Sequence, residues 1–152
     1  MVWIRRDPVE ISTEKNQKRV SMVYERAMEA VHAGKEISDQ EDFVYQVELL
    51  SQEVNSGASF EQYFRWVGKA EVDAILDHLK KLDLPEVHSI VEQAIRVAFP
   101  NGVPDNEDEY EECTDWTEVQ ERQLEELFQE FEDFNGVITN KLGRFIEENE
   151  LT

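Results

Sequence analysis

Few residues in this chain could do chemistry on their own: three histidines, His32, His78 and His88, and one cysteine, Cys113. Glu29 and His32 have the Glu-x-x-His spacing with which helical bundles hold paired metal ions, but such a centre needs two of these motifs. Ile75 stands three residues before His78 and Pro85 three before His88, so neither supplies the second. All three read as surface or helix-end histidines, and no metal site is expected. Cys113 lies among Glu111, Glu112 and Asp115, a negative setting in which no cysteine nucleophile is expected. Asp105-Asn106-Glu107-Asp108-Glu109-Tyr110 begins like a calcium-binding loop. However, Tyr110 falls where that loop needs glycine and Trp116 where it needs a bidentate glutamate. Gly34-Lys35 and Gly68-Lys69 lack the glycine-rich context of a phosphate loop. The chain therefore reads as a non-enzyme with no cofactor.

The feature that stands out is a charge array. Between Asp105 and Asp133 there are fourteen carboxylates and one basic residue, Arg122. The candidate partner-binding surface comprises Asp105, Glu107, Asp108, Glu109, Glu111, Glu112, Glu118, Glu121, Glu125, Glu126, Glu132 and Asp133. Carboxylates three or four residues apart on a helix repel one another mildly, so the array serves solubility or a partner. The net charge of −20 is unevenly spread. Residues 1–35 hold seven Lys/Arg against five Asp/Glu, residues 36–99 five against thirteen, and residues 100–152 three against seventeen. A salt-adapted surface would be acidic throughout, so the gradient points to a local cause. So negative a chain repels nucleic acid and anionic membrane, which leaves a basic protein as the natural partner.

The elements that must hold this array are helices. With 152 residues, 40% of them hydrophobic, the chain can bury a core and is expected to form a single acidic domain over 1–152. Its parts would be a charge-balanced N-terminal helix (1–35), a helical core (36–99) and strongly acidic C-terminal helices (100–152). From Ser12 to Ala33, Val20, Val23, Tyr24, Ala27 and Val31 recur at helical steps before Gly34. Ser38 with Glu41 has capping-box spacing ahead of Phe43, Val47, Leu50 and Val54, and Asn55 to Ala58 should break that helix. Ser59 with Gln62 can cap a short helix carrying Phe60, Phe64 and Val67, ended by Gly68. Val72 to Leu82 marks a fourth helix, and Pro85 is placed to open a fifth. Two prolines and a glycine make residues 99–104 a loop. Asp115 with Glu118 is expected to cap a sixth helix, carrying Leu124, Leu127, Phe128 and Phe131. Asn135-Gly136 should close it, and Thr139 should cap a last short one. The fold class is all-α, a compact bundle of about six to eight helices. Met1 to Arg6 lacks the apolar stretch of a signal peptide, no run is long enough to span a membrane, and the expected compartment is the cytoplasm.

Asn55-Ser56-Gly57-Ala58-Ser59-Phe60-Glu61-Gln62-Tyr63-Phe64 resembles the Asn-Gly-Gly-Phe-x-Gln-Tyr-Phe signature of a bacterial DNA-mimic protein family. Ala94 through Phe99-Pro100-Asn101-Gly102-Val103-Pro104 is similar to that family's Ala…Phe-Pro-x-Gly-x-Pro segment, and Leu124 to Ile146 to its closing helices. Gly57-Ala58-Ser59 departs from the tight Gly-Gly, and Arg65-Trp66 follows Phe64 where the family usually has an asparagine. Asn55 and Gly57 suit a helix end needing positive φ, and Phe60 and Phe64 read as core. The resemblance implies an all-helical fold and a homodimer whose acidic surface displaces a helix-turn-helix repressor from its operator. On that basis the expected function is a DNA mimic that binds a basic DNA-binding protein and competes with its DNA. The alternatives are an acidic interaction or immunity-type protein whose partner does not bind DNA, and a small enzyme. The last would require His78 and His88 to converge with Asp73 or Asp77.

Overall fold

The computed structural model describes residues 9–151, so the expectation for Met1 to Arg6 lies outside the described residues. Those residues form eight helices and no strand: α1 (Glu14–His32), α2 (Asp39–Gly57), α3 (Glu61–Trp66), α4 (Lys69–Lys81), α5 (Pro85–Ala98), α6 (Glu107–Glu112), α7 (Glu118–Glu132) and α8 (Asn135–Glu148). The all-α expectation holds. None of these helices is long and apolar enough to cross a membrane.

Helix α2 is the centre of the bundle. Val44, Val47, Leu50 and Val54 are fully buried along it, and α1, α3, α4, α7 and α8 all pack against it. Helix α5 joins the bundle from outside, between α4 and α7. One continuous core runs from Val20 and Val23 of α1 through Phe60, Phe64, Ile75 and Val91 to Leu124, Phe131, Leu142 and Ile146. Aromatic edges lock its middle: Phe60 meets Phe131 at 5.6 Å and Phe64 meets Phe99 at 5.4 Å, both nearly perpendicular.

Several boundaries follow the sequence. Ser38 Oγ accepts from the Glu41 amide at 3.1 Å, as its spacing implies, and Pro85 opens α5. Others differ. Helix α2 continues through Asn55 to Gly57, and the left-handed residue is Ala58 (φ 50°), not Asn55 or Gly57. Ser59 Oγ accepts from Glu61 rather than Gln62, whose side chain instead donates to Glu53 Oε2 at 2.7 Å. Helix α7 is capped by Thr117 with Gln120, each side chain bonding the other's backbone, and not by Asp115 with Glu118. Asn135-Gly136 begins α8 instead of closing α7, four residues before the expected cap at Thr139. The cause is tertiary. Asn135 and Asn55 exchange a pair of amide hydrogen bonds (2.9 and 2.8 Å), which ties the start of α8 to the end of α2.

The face of α8 carrying Gly136, Asn140 and Gly143 receives the segment that leads into α1. Buried Asn140 accepts from the Thr13 amide (3.0 Å) and Asn16 Nδ2 (3.1 Å), and donates to Glu10 Oε2 (2.9 Å) and the Ile11 carbonyl (3.1 Å). Both glycines are required by this approach. A Cβ on Gly136 would stand 2.0 Å from the Glu10 carbonyl oxygen, and one on Gly143 would stand 2.2 Å from Asn16 Oδ1.

Candidate protein-binding surface

Between the loop at 99–104 and the helix expected from Asp115 the sequence marks no element, and Asp105 to Glu112 contains almost nothing apolar, yet Glu107–Glu112 forms α6. Two residues suffice to make it. Asn106 Oδ1 accepts from the Glu109 amide at 2.8 Å, and Tyr110 sinks into the core, its ring tilted against Phe99 at 5.1 Å and its hydroxyl donating to the Phe64 carbonyl at 2.8 Å. Burial, then the nearby Glu107, drives the Tyr110 pKa up, so the phenol stays a neutral donor. With Tyr110 turned inward, Glu107, Asp108, Glu109, Glu111 and Glu112 all face solvent. Glu107 also serves the fold. Its carboxylate accepts from the Lys69 amide at 3.3 Å at the start of α4, where the helix dipole favours a negative group. The Lys69 ammonium pairs with Asp73, which raises its pKa, and Asp105 and Glu107 add to the effect.

Helix α7 is held by Leu124, Leu127 and Phe131 below, and at its start by Gln120 Nε2, which donates to the Val97 carbonyl at 2.9 Å. Just ahead of it, buried Trp116 donates to the Ala98 carbonyl at 3.1 Å. This anchoring leaves Glu118, Glu125, Glu126 and Glu132 exposed, with Asp133 beyond the last turn, while Glu121 is half-buried. Asp105 is exposed as well. Eleven of the twelve array residues are therefore exposed. Leaving Asp133 aside, no ion pair within 4 Å joins any of them to a cation among the described residues. Elsewhere carboxylates do have such partners: Glu14 with Lys18 (3.3 Å), Asp77 with Lys81 (3.0 Å), Glu92 with Arg96 (3.1 Å) and Glu147 with Arg19 (2.9 Å).

The signature residues around the α2–α3 turn support this surface from beneath and are not its carboxylates: Phe64 receives Tyr110 of α6 and Phe60 packs on Phe131 of α7. Asn55 bonds the Ser51 carbonyl (2.6 Å) and Asn135, Gly57 lets Gln62 approach closely, and Phe60, Tyr63 and Phe64 are buried. Every one of them holds helices together. A protein-family model described as DMP19-like protein matches residues 35–149. This chain belongs to the DMP19-like family. No curated protein and no solved structure matches it. The DMP19-like match takes in the whole acidic array and omits α1, although α1 packs along α8 and α2 and completes the core.

The histidines do not meet. His78 sits edge-on to Phe43 at 5.2 Å and lines a cavity of about 250 Å³ with Asp42, Gln46 and Glu71, while His88 lines a different one with Lys80 and Asp83. Asp73 and Asp77 are engaged by Lys69 and Lys81. Burial lowers the His78 pKa. Among the described residues no three His, Cys, Asp or Glu side chains gather as a metal would need. Trp66, noted in the sequence only as a departure from the signature, is 77% exposed. It lies between the Phe64 and Lys69 contacts that fasten α6, and its neighbour Arg65 covers the Trp116 ring at 5.2 Å. An aromatic beside the array was not foreseen in the sequence, where Phe60, Phe64 and Val67 were the apolar residues of this helix.

Proposed function

We propose that this protein is a non-enzymatic DNA mimic that binds a basic DNA-binding protein of the helix-turn-helix type and competes with its DNA. The observation that carries the reading is the outward, uncompensated presentation of the carboxylates of α6 and α7. Such groups accept hydrogen bonds from lysine and arginine as phosphates do. Dimension supports it too. Helix α7, with fifteen residues, is about 22 Å long at 1.5 Å per residue, on the order of six base-pair steps of roughly 3.4 Å. Membership of the DMP19-like family is consistent with this role. A homodimer would present two such surfaces to a dimeric repressor, whose half-sites lie about one helical turn of DNA apart.

The test is competition. Association should be fast at low salt and weaken steeply as salt rises. Charge reversal at Glu118 and Glu125 should weaken it much more than reversal at Glu14 and Glu25, two exposed glutamates of α1, a comparison that holds net charge constant. Operator DNA and this protein should exclude one another from the partner. Simultaneous binding of both in one buffer rules out mimicry and leaves an acidic interaction protein. Equal losses from the two mutant pairs reduce the array to a solvated face.

A further inference from the structure

An open groove adjoins the acidic array, and the proposed function gives it no role. It measures about 580 Å³, within the usual range of ligand sites, and lies between α5 and the end of α7. Pro85, Ile90 and Phe134 line it with apolar groups, exposed Ser89 and Gln93 with polar ones, and Glu86, Glu130 and Asp133 with carboxylates. A groove that combines apolar patches with carboxylates and no cation fits a long cationic side chain. A long cation lays its methylene stem against the apolar groups and keeps its charged head among the carboxylates. We propose that this groove takes an arginine side chain of the basic protein partner, anchoring it beside the phosphate-like face. Arginine is favoured over lysine because its guanidinium is less strongly hydrated and forks onto carboxylates. A partner held only by exposed charge pairs would be held weakly, since each such pair contributes little. A half-buried arginine in a shaped groove supplies the kind of anchor that dominates interface energetics.

The inference rests on the partner being basic, as the proposed function has it, but its test needs neither that partner nor DNA. The probes are butylguanidinium, which has stem and head, guanidinium, which has the head alone, and n-butanol, which has the stem without charge. Titrations followed by backbone and methyl NMR on the intact protein should show butylguanidinium shifting resonances of Ile90, Ser89 and Phe134. Its affinity should exceed that of guanidinium roughly tenfold, the gain from burying about two methylenes. Butanol should not bind measurably. Ser89→Trp, at an exposed position that donates nothing to the core, should fill the groove and abolish the stem-dependent difference. Weak salt-sensitive shifts along α6 should persist. Equal affinities for the two cations, shifts spread evenly over α6 and α7, or indifference to Ser89→Trp overturn the groove while leaving competition with DNA untouched. Conversely, a partner that binds together with its operator defeats the mimic without altering the butylguanidinium result. A shift in the self-association of Ser89→Trp without loss of the stem-dependent difference would reassign the face to a second copy of the chain and also overturn the proposal.

Discussion

Gly143→Ala and Gly136→Ala make a paired test of how α1 is fastened to α8. In an open helix either change should stabilise the protein by about 1 kcal/mol, because alanine is the better helix former. Here both added methyls collide, and the shorter collision should be the cheaper. At Gly136 the Cβ would stand 2.0 Å from the Glu10 carbonyl oxygen. Residues 9–12 precede α1 and can swing away, releasing, besides the exposed contacts of Ser12 with Gln17, the two bonds that Asn140 makes to Glu10 and Ile11. Those bonds are worth about 1 kcal/mol each, so the propensity gain offsets roughly half the loss and the net cost stays near 1 kcal/mol. At Gly143 the Cβ meets Asn16 at Oδ1, Cγ and Cβ (2.2, 2.5 and 2.6 Å), within the first turn of α1. That helix cannot leave without exposing Val20, Val23, Tyr24 and Ala27. Overpacking of about 1–3 kcal/mol, the lost Asn16–Asn140 bond and the propensity gain leave a net destabilisation of about 1–3 kcal/mol. For a chain this size that lowers Tm by roughly 2–10 °C. Urea titration followed by far-UV circular dichroism measures both variants, and hydrogen exchange should show residues 9–13 of Gly136→Ala opening locally. If Gly143→Ala stabilises the protein, or costs less than Gly136→Ala, the docking argument is wrong.

Ala58→Gly should stabilise by about 0.5–1 kcal/mol, because Ala58 is held at a left-handed φ of 50° that glycine adopts freely; a lower urea midpoint would contradict this. Burial raises the Glu48 pKa, and Glu48 Oε2 is buried without a hydrogen bond, so the folded state holds this proton more tightly than the unfolded one. The native contribution of Glu48 is therefore intact below the ordinary carboxylate range and is lost as pH rises through the raised value. Glu48→Gln should accordingly be more stable than the parent at pH 7 and converge on it in acid; a constant difference across a pH series of urea titrations would show that burial of the charge is not the cause. Moderate salt should raise Tm by screening the unpaired carboxylates of α6 and α7. A flat thermal-shift series in sodium chloride would mean their repulsion is negligible.

Local signals determined a good deal here. Apolar residues at three- and four-residue steps give the all-α class, Ser38 and Pro85 mark two helix starts in chemistry that needs no distant partner, and the carboxylates of α7 had to face solvent because Leu124, Leu127 and Phe131 could not. Where the sequence misled, the deciding atom came from far along the chain. Helix α6 exists because Tyr110 reaches the Phe64 carbonyl, 46 residues earlier. Helix α8 starts at Asn135 because Asn55, 80 residues earlier, takes its amide. Gly136, which read as a stop, is a contact for Glu10 inside a helix. Thr117 displaces Asp115 as the cap because Gln120 serves both the cap and the Val97 carbonyl. The candidate surface divides in the same way. Its charge is a property of composition, countable before any fold is known, whereas the groove beside it joins Glu86 and Ile90 of α5 to Glu130 of α7 and Phe134 just beyond it. Periodicity reports which face of a helix is buried and is silent on which other helix buries it, so a groove between two helices becomes visible only when both have been placed.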